Sequence, residues 1–302
     1  MKRQVIIARL RHEAWALGRG LAFLSPWLIG FLAFTIVPVA LSLYYSFCHY
    51  SLLQAPLFKG LDNYRNLARD PVFWKVLGNT GIYALMALPL GMLVALGLAM
   101  LLNSKIRGVS IYRTIIFLPS LVPTVASAML WLWLFNARLG LINVVLRGLG
   151  VANPPGWLTD VHWAMPALVL MSFWGLGNMV VIYLAGLQDV PRELYEAASI
   201  DGASTLRKVW HVTLPAISPV IFFNLILAII GTLQVFAVPL ILTAGGPARS
   251  TYFYTMYLYD SAFSYLKMGY ASAMAWVQLL IVLALTALAA LSSRRWVHYQ
   301  GK

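Results

Sequence analysis

The sequence predicts an all-α membrane protein with six transmembrane helices and cytoplasmic N- and C-termini. Three observations carry that expectation. Of 302 residues, 61% are hydrophobic and 10% charged, with a mean hydropathy of +0.79, whereas soluble domains carry roughly 25% charged residues. Six stretches free of Asp, Glu, Lys and Arg reach the roughly 20 residues that cross a bilayer as helix: Leu21–Phe47, Val76–Asn103, Thr114–Ala137, Val161–Gln188, Val212–Ala248 and Met268–Ser293. The basic residues are also unevenly divided. Lys2, Arg3, Arg9, Arg11, Arg19, Lys105, Arg107, Arg113, Arg192, Arg207, Lys208, Arg294, Arg295 and Lys302 fall on one side, against Lys59, Arg65, Arg69, Lys75, Arg138, Arg147, Arg249 and Lys267 on the other. The richer side is cytoplasmic by the positive-inside rule. The net charge of +13 is then mostly topological, and no nucleic-acid partner is expected.

Each element follows in order. Residues 1–20 form a cytoplasmic N-terminal segment, and 21–295 the transmembrane domain. The first apolar run exceeds the roughly 7–15 residues of a signal-peptide core, so it is read as a retained span at 21–47. The stretch 58–74, FKGLDNYRNLARDPVFW, reads as a short amphipathic helix leading into the second span, 76–103. The third span covers 114–137. After it, 136–150 places Leu139, Ile142, Leu146 and Leu149 on one face of an interfacial helix. The fourth span covers 161–188. The fifth run is longer than a bilayer requires, which puts the span at about 218–243, and the sixth covers 268–293. Pro26, Pro38, Pro89, Pro119, Pro123, Pro166 and Pro239 interrupt these runs, tolerable where neighbouring helices re-satisfy the backbone. Gly91, Ala95, Gly97 and Ala99 allow close helix approach.

Several function classes are disfavoured. All nine acidic residues lie outside the spans, which argues against a proton relay. The five histidines sit at span ends or in loops without metal-ligand spacing, and the single cysteine, Cys48, forms no internal disulfide. No GxxxxGK[ST] phosphate loop occurs, so any ATP is used on another polypeptide and the chain is not itself an enzyme. Trp131, Trp133 and Trp174 read as interfacial tryptophans.

One cytoplasmic loop, 189–215, stands out for its polarity. Asp189 and Pro191 suit a helix start. Gly202 suits the positive φ that closes a helix, and Ser204 or Thr205 can cap a second one. In that second helix Leu206, Val209, Trp210 and Thr213 share a stripe, Arg207, Lys208 and His211 occupy the other face, and Pro215 ends the element. The residues alone leave two readings open: a passive amphipathic loop on headgroups, and a docking tip.

The stretch EAASIDGASTLRKVWHVTLP, residues 196–215, resembles the signature loop of bacterial ABC import permeases, matching at Glu196, Ala197, Ala198, Asp201, Gly202, Ala203, Leu214 and Pro215. GLDNY at 60–64, FLPSLVP at 117–123, LAGLQDVPRELYEAA at 184–198, LQVFAVPLILTAGGP at 233–247 and MGYASAMA at 268–275 resemble the MalF-like branch for sugars and glycerol phosphate. The resemblance implies the type I ABC importer permease fold in a bacterial or archaeal cytoplasmic membrane. It implies a heterodimer with a second homologous permease, two ATPase subunits that hold ATP and Mg, an extracytoplasmic solute-binding protein, and no cofactor bound by this chain. The loop becomes a coupling helix docked in an ATPase cleft, with Glu196, Ala198 and Gly202 as contacts. Substrate positions carry over to Met171, Gly175 and Asn178 on the fourth span and to Ala228, Gly231, Thr232 and Val235 on the fifth. The family pattern is more polar at the fifth-span positions, and Gln234 and Asn224 are nearby substitutes. The implied function is sugar or polyol import. A permease for glycerol-3-phosphate or another non-sugar solute, and a non-transporting membrane scaffold, are the alternatives.

Overall fold

The structure, a computed structural model, describes residues 2–104 and 107–298, with backbone alone at 2–14, 16 and 17. Met1, Lys105 and Lys302, which the reading above used for the N-terminal segment and the orientation, lie outside the described residues. In chain order the helices are α1 (Lys2–Phe31), α2 (Val37–Ser46), α3 (Asp62–Arg69), α4 (Pro71–Leu102), α5 (Val109–Leu121), α6 (Thr124–Leu134), α7 (Leu141–Gly148), α8 (Val161–Ser172), α9 (Gly177–Gln188), α10 (Arg192–Ile200), α11 (Thr205–Lys208), α12 (Leu214–Ala216), α13 (Ser218–Leu233), α14 (Ala237–Leu242), α15 (Tyr254–Tyr259) and α16 (Met268–Ser293). Short π-helical turns at Leu32–Ile36, Val209–Thr213 and Asp260–Ser264 link some of them, and Cys48–His49 pairs antiparallel with Leu57–Phe58.

Four helical stretches are long and apolar enough to cross a membrane: Gly18–Ser46, Pro71–Leu102, Ser218–Leu242 and Met268–Ser293. Two further pairs qualify only when each pair is taken together. Val109–Leu121 and Thr124–Leu134 meet at 100°, and Val161–Gly175 and Gly177–Gln188 at 52°. The third and fourth spans are therefore not the straight helices that their apolar length suggested. The third breaks at Val122–Pro123, because proline removes an amide donor and drives the residue before it out of the helical region, and Val122 has ψ 130°. The fifth span also pauses, at Gln234–Phe236, between α13 and α14.

The chain divides into two compact units. In the first, residues 1–67 and 261–276, the GLDNY segment acts as a clasp. Asn63 Nδ2 donates to the carbonyls of Ser46 (2.9 Å) and Cys48 (2.8 Å), and the Tyr64 hydroxyl donates to Ser46 Oγ at 2.7 Å. Trp276 Nε1 reaches Ser42 Oγ at 3.2 Å.

In the second unit, residues 68–260 and 277–302, α4 is the axis. Its buried positions Val76, Asn79, Thr80, Tyr83, Ala87, Gly91, Ala95, Ala99 and Leu102 recur every three or four residues, one helix face. Three of the four small residues expected to permit close packing lie on this face, while Gly97 faces outward. Without a hydrophobic drive between helices in lipid, such small residues gain their packing energy by letting backbones approach. At one end, Ala95, Ala99 and Leu102 meet Val180, Tyr183, Leu184 and Leu187 of α9 in a buried cluster. At the other, Asn79 Nδ2 donates to the carbonyls of Arg249 (2.7 Å) and Tyr252 (3.0 Å), and the Tyr254 amide donates to Thr80 Oγ1 at 2.9 Å. Polar groups on an otherwise apolar helix thus tie down the loop before α15.

The interfacial helix expected in 136–150 is α7. Its anchor is not the leucine face, since Leu139 and Leu149 are both exposed. It is the fully buried Asn143, whose Nδ2 donates to the carbonyls of Ala137 and Pro155, each at 3.0 Å, while its Oδ1 accepts from Trp157 Nε1 at 2.7 Å.

Candidate functional site

Two places in the second unit gather the residues singled out above. The first is the loop 189–215, which forms a helical hairpin. Helix α10 closes with a double hydrogen-bonded turn: the Ala203 amide donates to the Ala198 carbonyl at 2.9 Å, and the Gly202 amide to that of Ser199 at 3.1 Å. This Schellman arrangement requires a left-handed residue after the cap. Gly202 supplies it at φ +72°, with open space where a Cβ would stand. Ser204 then caps the next helix, its Oγ accepting from the Arg207 amide at 3.4 Å.

Three local expectations need correction. Asp189 does not start α10; it caps the C-terminal end of α9 in a helical conformation, and Pro191 precedes α10. Pro215 does not end the second helix. Having no amide and crowding the carbonyl four residues back, it is accommodated by the π turn Val209–Thr213, in which the Leu214 amide reaches back to Val209. That wider turn rotates the residues around it, so the expected stripe splits. Val209 is half-buried and Thr213 buried, but Leu206 and Trp210 are 69% and 62% exposed.

Sequence reasoning also missed what holds the hairpin. Tyr195 and Val212 pack on the buried α4–α9 cluster, and the Tyr195 hydroxyl pairs with Thr213 Oγ1 at 3.0 Å. Lys208 Nζ donates to Ser199 Oγ at 2.7 Å, tying the two arms together. The outer side is left uncovered: Glu196, Ala197, Asp201 and Gly202 are exposed, Ala198 and Ala203 half-buried. Beside them stand Ile200 (87% exposed), Leu206 and Trp210. Leu214 and Pro215, the end of the motif, are half-buried. Glu196 takes part in no ion pair among the described residues. An acid set among small residues, beside a row of exposed apolar side chains, fits both readings of the loop, a headgroup contact and a docking tip.

The second place is a cavity of about 280 Å³ at the breaks of the third and fourth spans. Pro119, Ser120, Val122, Thr124 and Ser127 line it from the α5–α6 corner, Leu168, Met171, Ser172, Trp174, Gly175 and Asn178 from the α8–α9 corner, with Tyr83 and Val238. The corners meet closely because Gly177 has no side chain: a Cβ there would stand 2.3 Å from Ser120 Oγ and 3.1 Å from Phe117 Cα. The hydroxyls of Ser120 and Ser172 each donate to a carbonyl of their own helix at 2.6 Å, so toward the cavity they act as acceptors. Asn178 is exposed and makes no hydrogen bond among the described residues, leaving an amide free to donate and accept. Trp174 lies in this lining, and Trp131 packs edge-on against it with ring centroids 5.9 Å apart. Trp174, read above as interfacial, thus forms part of the cavity wall, with Trp131 packed against it. None of the lining residues is charged.

Met171, Gly175 and Asn178 thus come together at the cavity. The fifth-span positions Ala228, Gly231, Thr232, Gln234 and Val235 are not among its lining. Thr232 Oγ1 donates to the Ala228 carbonyl at 2.7 Å, a bond within its own helix. Gly231 and Gln234 are exposed, Ala228 and Val235 half-buried. Asn224 is buried, and its Nδ2 lacks a hydrogen-bond partner. Tyr83, Ser120, Thr124 and Ser127 were not foreseen. The paired prolines of FLPSLVP were the available signal, since a break in a span exposes the side chains beside it.

Comparison with known proteins gives concordant findings. Residues 87–298 match the family model described as binding-protein-dependent transport system inner membrane component. The chain is 41% identical over 287 residues to the probable ABC transporter permease protein YesP of Bacillus subtilis (strain 168), covering 94% of this chain and 93% of that protein. It is 37% identical to the lactose transport system permease protein LacF of Rhizobium radiobacter, over 76% and 78% of the two chains. Among solved structures, a chain of a bacterial ABC transporter involved in the import of the acidic polysaccharide alginate has the same fold. It superposes with a TM-score of 0.83 at 24% identity, over 95% of this chain and 99% of that one.

Proposed function

Because the chain belongs to the family of binding-protein-dependent transport system inner membrane components, we propose that it is the membrane-spanning permease subunit of an ABC importer that carries a sugar. Relatives named for sugars, lactose among them, support the substrate class. On this reading the bent helix pairs each count as one span, giving six crossings of a bacterial or archaeal cytoplasmic membrane with both termini inside. A second homologous permease completes the pathway. Two ATPase subunits hydrolyse ATP with Mg, and an extracytoplasmic binding protein delivers the solute.

The observation that carries the reading is the exposed hairpin 192–216. A subunit without a phosphate loop receives ATP-driven work through a surface, and this hairpin offers one, rooted in the span core by Tyr195 and Val212. Rigid-body closure of the ATPase pair would pass through α10 into α9, and so into the corner that walls the cavity. Glu196, Ala197, Ala198, Asp201, Gly202 and Ala203 form the proposed contact, with Leu214 and Pro215 at its base. For the substrate, Gly175 and Asn178 lie on the pathway, and Ala228, Gly231, Thr232, Gln234 and Val235 continue it along the fifth span toward the partner permease. An uncharged lining with hydroxyls, an amide and an indole suits a neutral saccharide, and argues against glycerol-3-phosphate, whose charge would call for a cation.

The test is uptake of labelled saccharide into proteoliposomes holding the two permeases and the ATPases, with the binding protein outside. Uptake that depends on ATP and on binding protein is expected. A chain that fails to co-purify with any ATPase, and supports no ATP-dependent uptake, would return it to the class of membrane scaffolds.

A further inference from the structure

A separate groove opens between α4, α5 and α9, on the side of the molecule that carries the hairpin. It encloses about 330 Å³, and its walls are Leu102, Ile116, Phe117, Gly177, Val180, Val181 and Leu184, with Arg113 and Thr114 the polar members. Arg113 does not extend toward water as basic residues at span ends ordinarily do. It is half-buried and turned back, with Nη2 donating to the Leu102 carbonyl at 3.1 Å. Its Nε is buried and has no hydrogen-bond partner. A guanidinium N–H sealed from water and left without an acceptor is costly, and no carboxylate pairs with Arg113 among the described residues. The residue therefore calls for an anion that this chain does not supply.

We propose that the groove binds one anionic phospholipid, with its phosphate on Arg113 and an acyl chain along Phe117, Val181 and Leu184. Depth and shape favour this occupant. Arg113 stands in the second turn of α5, which on the six-span reading is the start of the third span and so the level of the lipid phosphates. The apolar walls continue from it into the span, as a hydrocarbon tail requires. A soluble phosphate would satisfy Arg113 and leave the groove empty; a neutral lipid would fill the groove and leave Nε unpaired. The leaflet is the inner one on the orientation proposed above, which is also the leaflet that carries anionic lipid charge facing the cytoplasm. Because α5 and α9 are the arms of the two bent spans, the lipid would brace the corner that the hairpin moves.

The test is native mass spectrometry of the full chain in mild detergent, titrated with phosphatidylglycerol or with phosphatidylcholine of the same acyl chains. One phosphatidylglycerol should be held at least about tenfold more tightly than phosphatidylcholine, the gain of a charge-assisted bond to a desolvated cation. Arg113→Gln should abolish the preference. Val181→Trp keeps Arg113 but fills the groove from a wall residue that is 47% exposed, and should weaken retention of both lipids about tenfold. Equal retention of the two lipids by the natural chain would overturn the proposal. So would unchanged retention in Val181→Trp, or displacement of the lipid by millimolar inorganic phosphate. Uptake does not enter the readout, so failure here leaves the transport reading standing.

Discussion

The hairpin 192–216 and the cavity between the bent spans, the two candidate functional surfaces, are built by opposite means. The hairpin is made of neighbours. Its cap, its left-handed glycine and its Ser204 start all bond within a few residues, from Ala198–Ala203 to Ser204–Arg207. The cavity is made of strangers: Tyr83, Ser127 and Asn178 reach it from three spans. The turn at the hairpin tip could therefore be drawn from local rules, while the ties of its arms to each other and to the span core could not. The cavity depended on where two apolar runs bend, and apolar composition is indifferent to bending. What differs is the range of the interactions that define each region, and that range sets how each should fail when changed.

The largest effect is expected at the hairpin tip. Glu196→Arg reverses the acid beside Ala197 and Ala198, and a lost or opposed charge pair at a docked surface costs about 2–5 kcal/mol. Co-purification with the ATPase should fall more than tenfold while membrane insertion stays normal; unchanged co-purification would remove Glu196 from the contact. Next is the joint that shapes the cavity. Gly177→Val would drive a side chain into Ser120 and the Phe117 backbone, at about 1–3 kcal/mol of overpacking, seen as a lower thermal midpoint of the purified chain. If the midpoint holds, the close approach of α5 and α9 is not what closes this corner. Asn178→Leu comes third. It removes an amide that no protein group among the described residues uses, so stability should be spared while the KM for uptake rises by about tenfold, one hydrogen bond to a sugar hydroxyl. A normal KM would separate the cavity from the pathway. The smallest effect belongs to Tyr195→Phe, which deletes the link to Thr213 and should cost about 1 kcal/mol. Hydrogen exchange at the hairpin amides would report it.

How much was legible follows the same division. Four long apolar helices, the short helices α3 and α7 and the positive φ of Gly202 were readable, because each rests on length, periodicity or backbone conformation. The stripe through Leu206 and Trp210 was misread because Pro215 forces a π turn, and one extra residue in a turn rotates the side chains around it. Trp174 gave no sign of the cavity, because a tryptophan in an apolar run looks the same until a 52° bend brings it to a cavity wall. Asn143 and Asn79, whose side-chain amides donate to loop backbone carbonyls, carry no signal in sequence for those bonds, since any residue supplies a carbonyl.

The central claim, that the hairpin tip is where ATP-driven motion enters, turns on Gly202. Its left-handed conformation alone would explain a glycine, and the open space around it leaves room for a side chain within this chain. Asparagine tolerates that conformation, so Gly202→Asn keeps the fold of the turn while adding bulk only toward a partner. The decisive measurement is ATP-dependent sugar uptake by this variant in the assembled transporter. Uptake reduced more than tenfold, with hydrogen exchange of the hairpin unchanged, is the predicted result. Uptake equal to that of the natural chain would contradict the account.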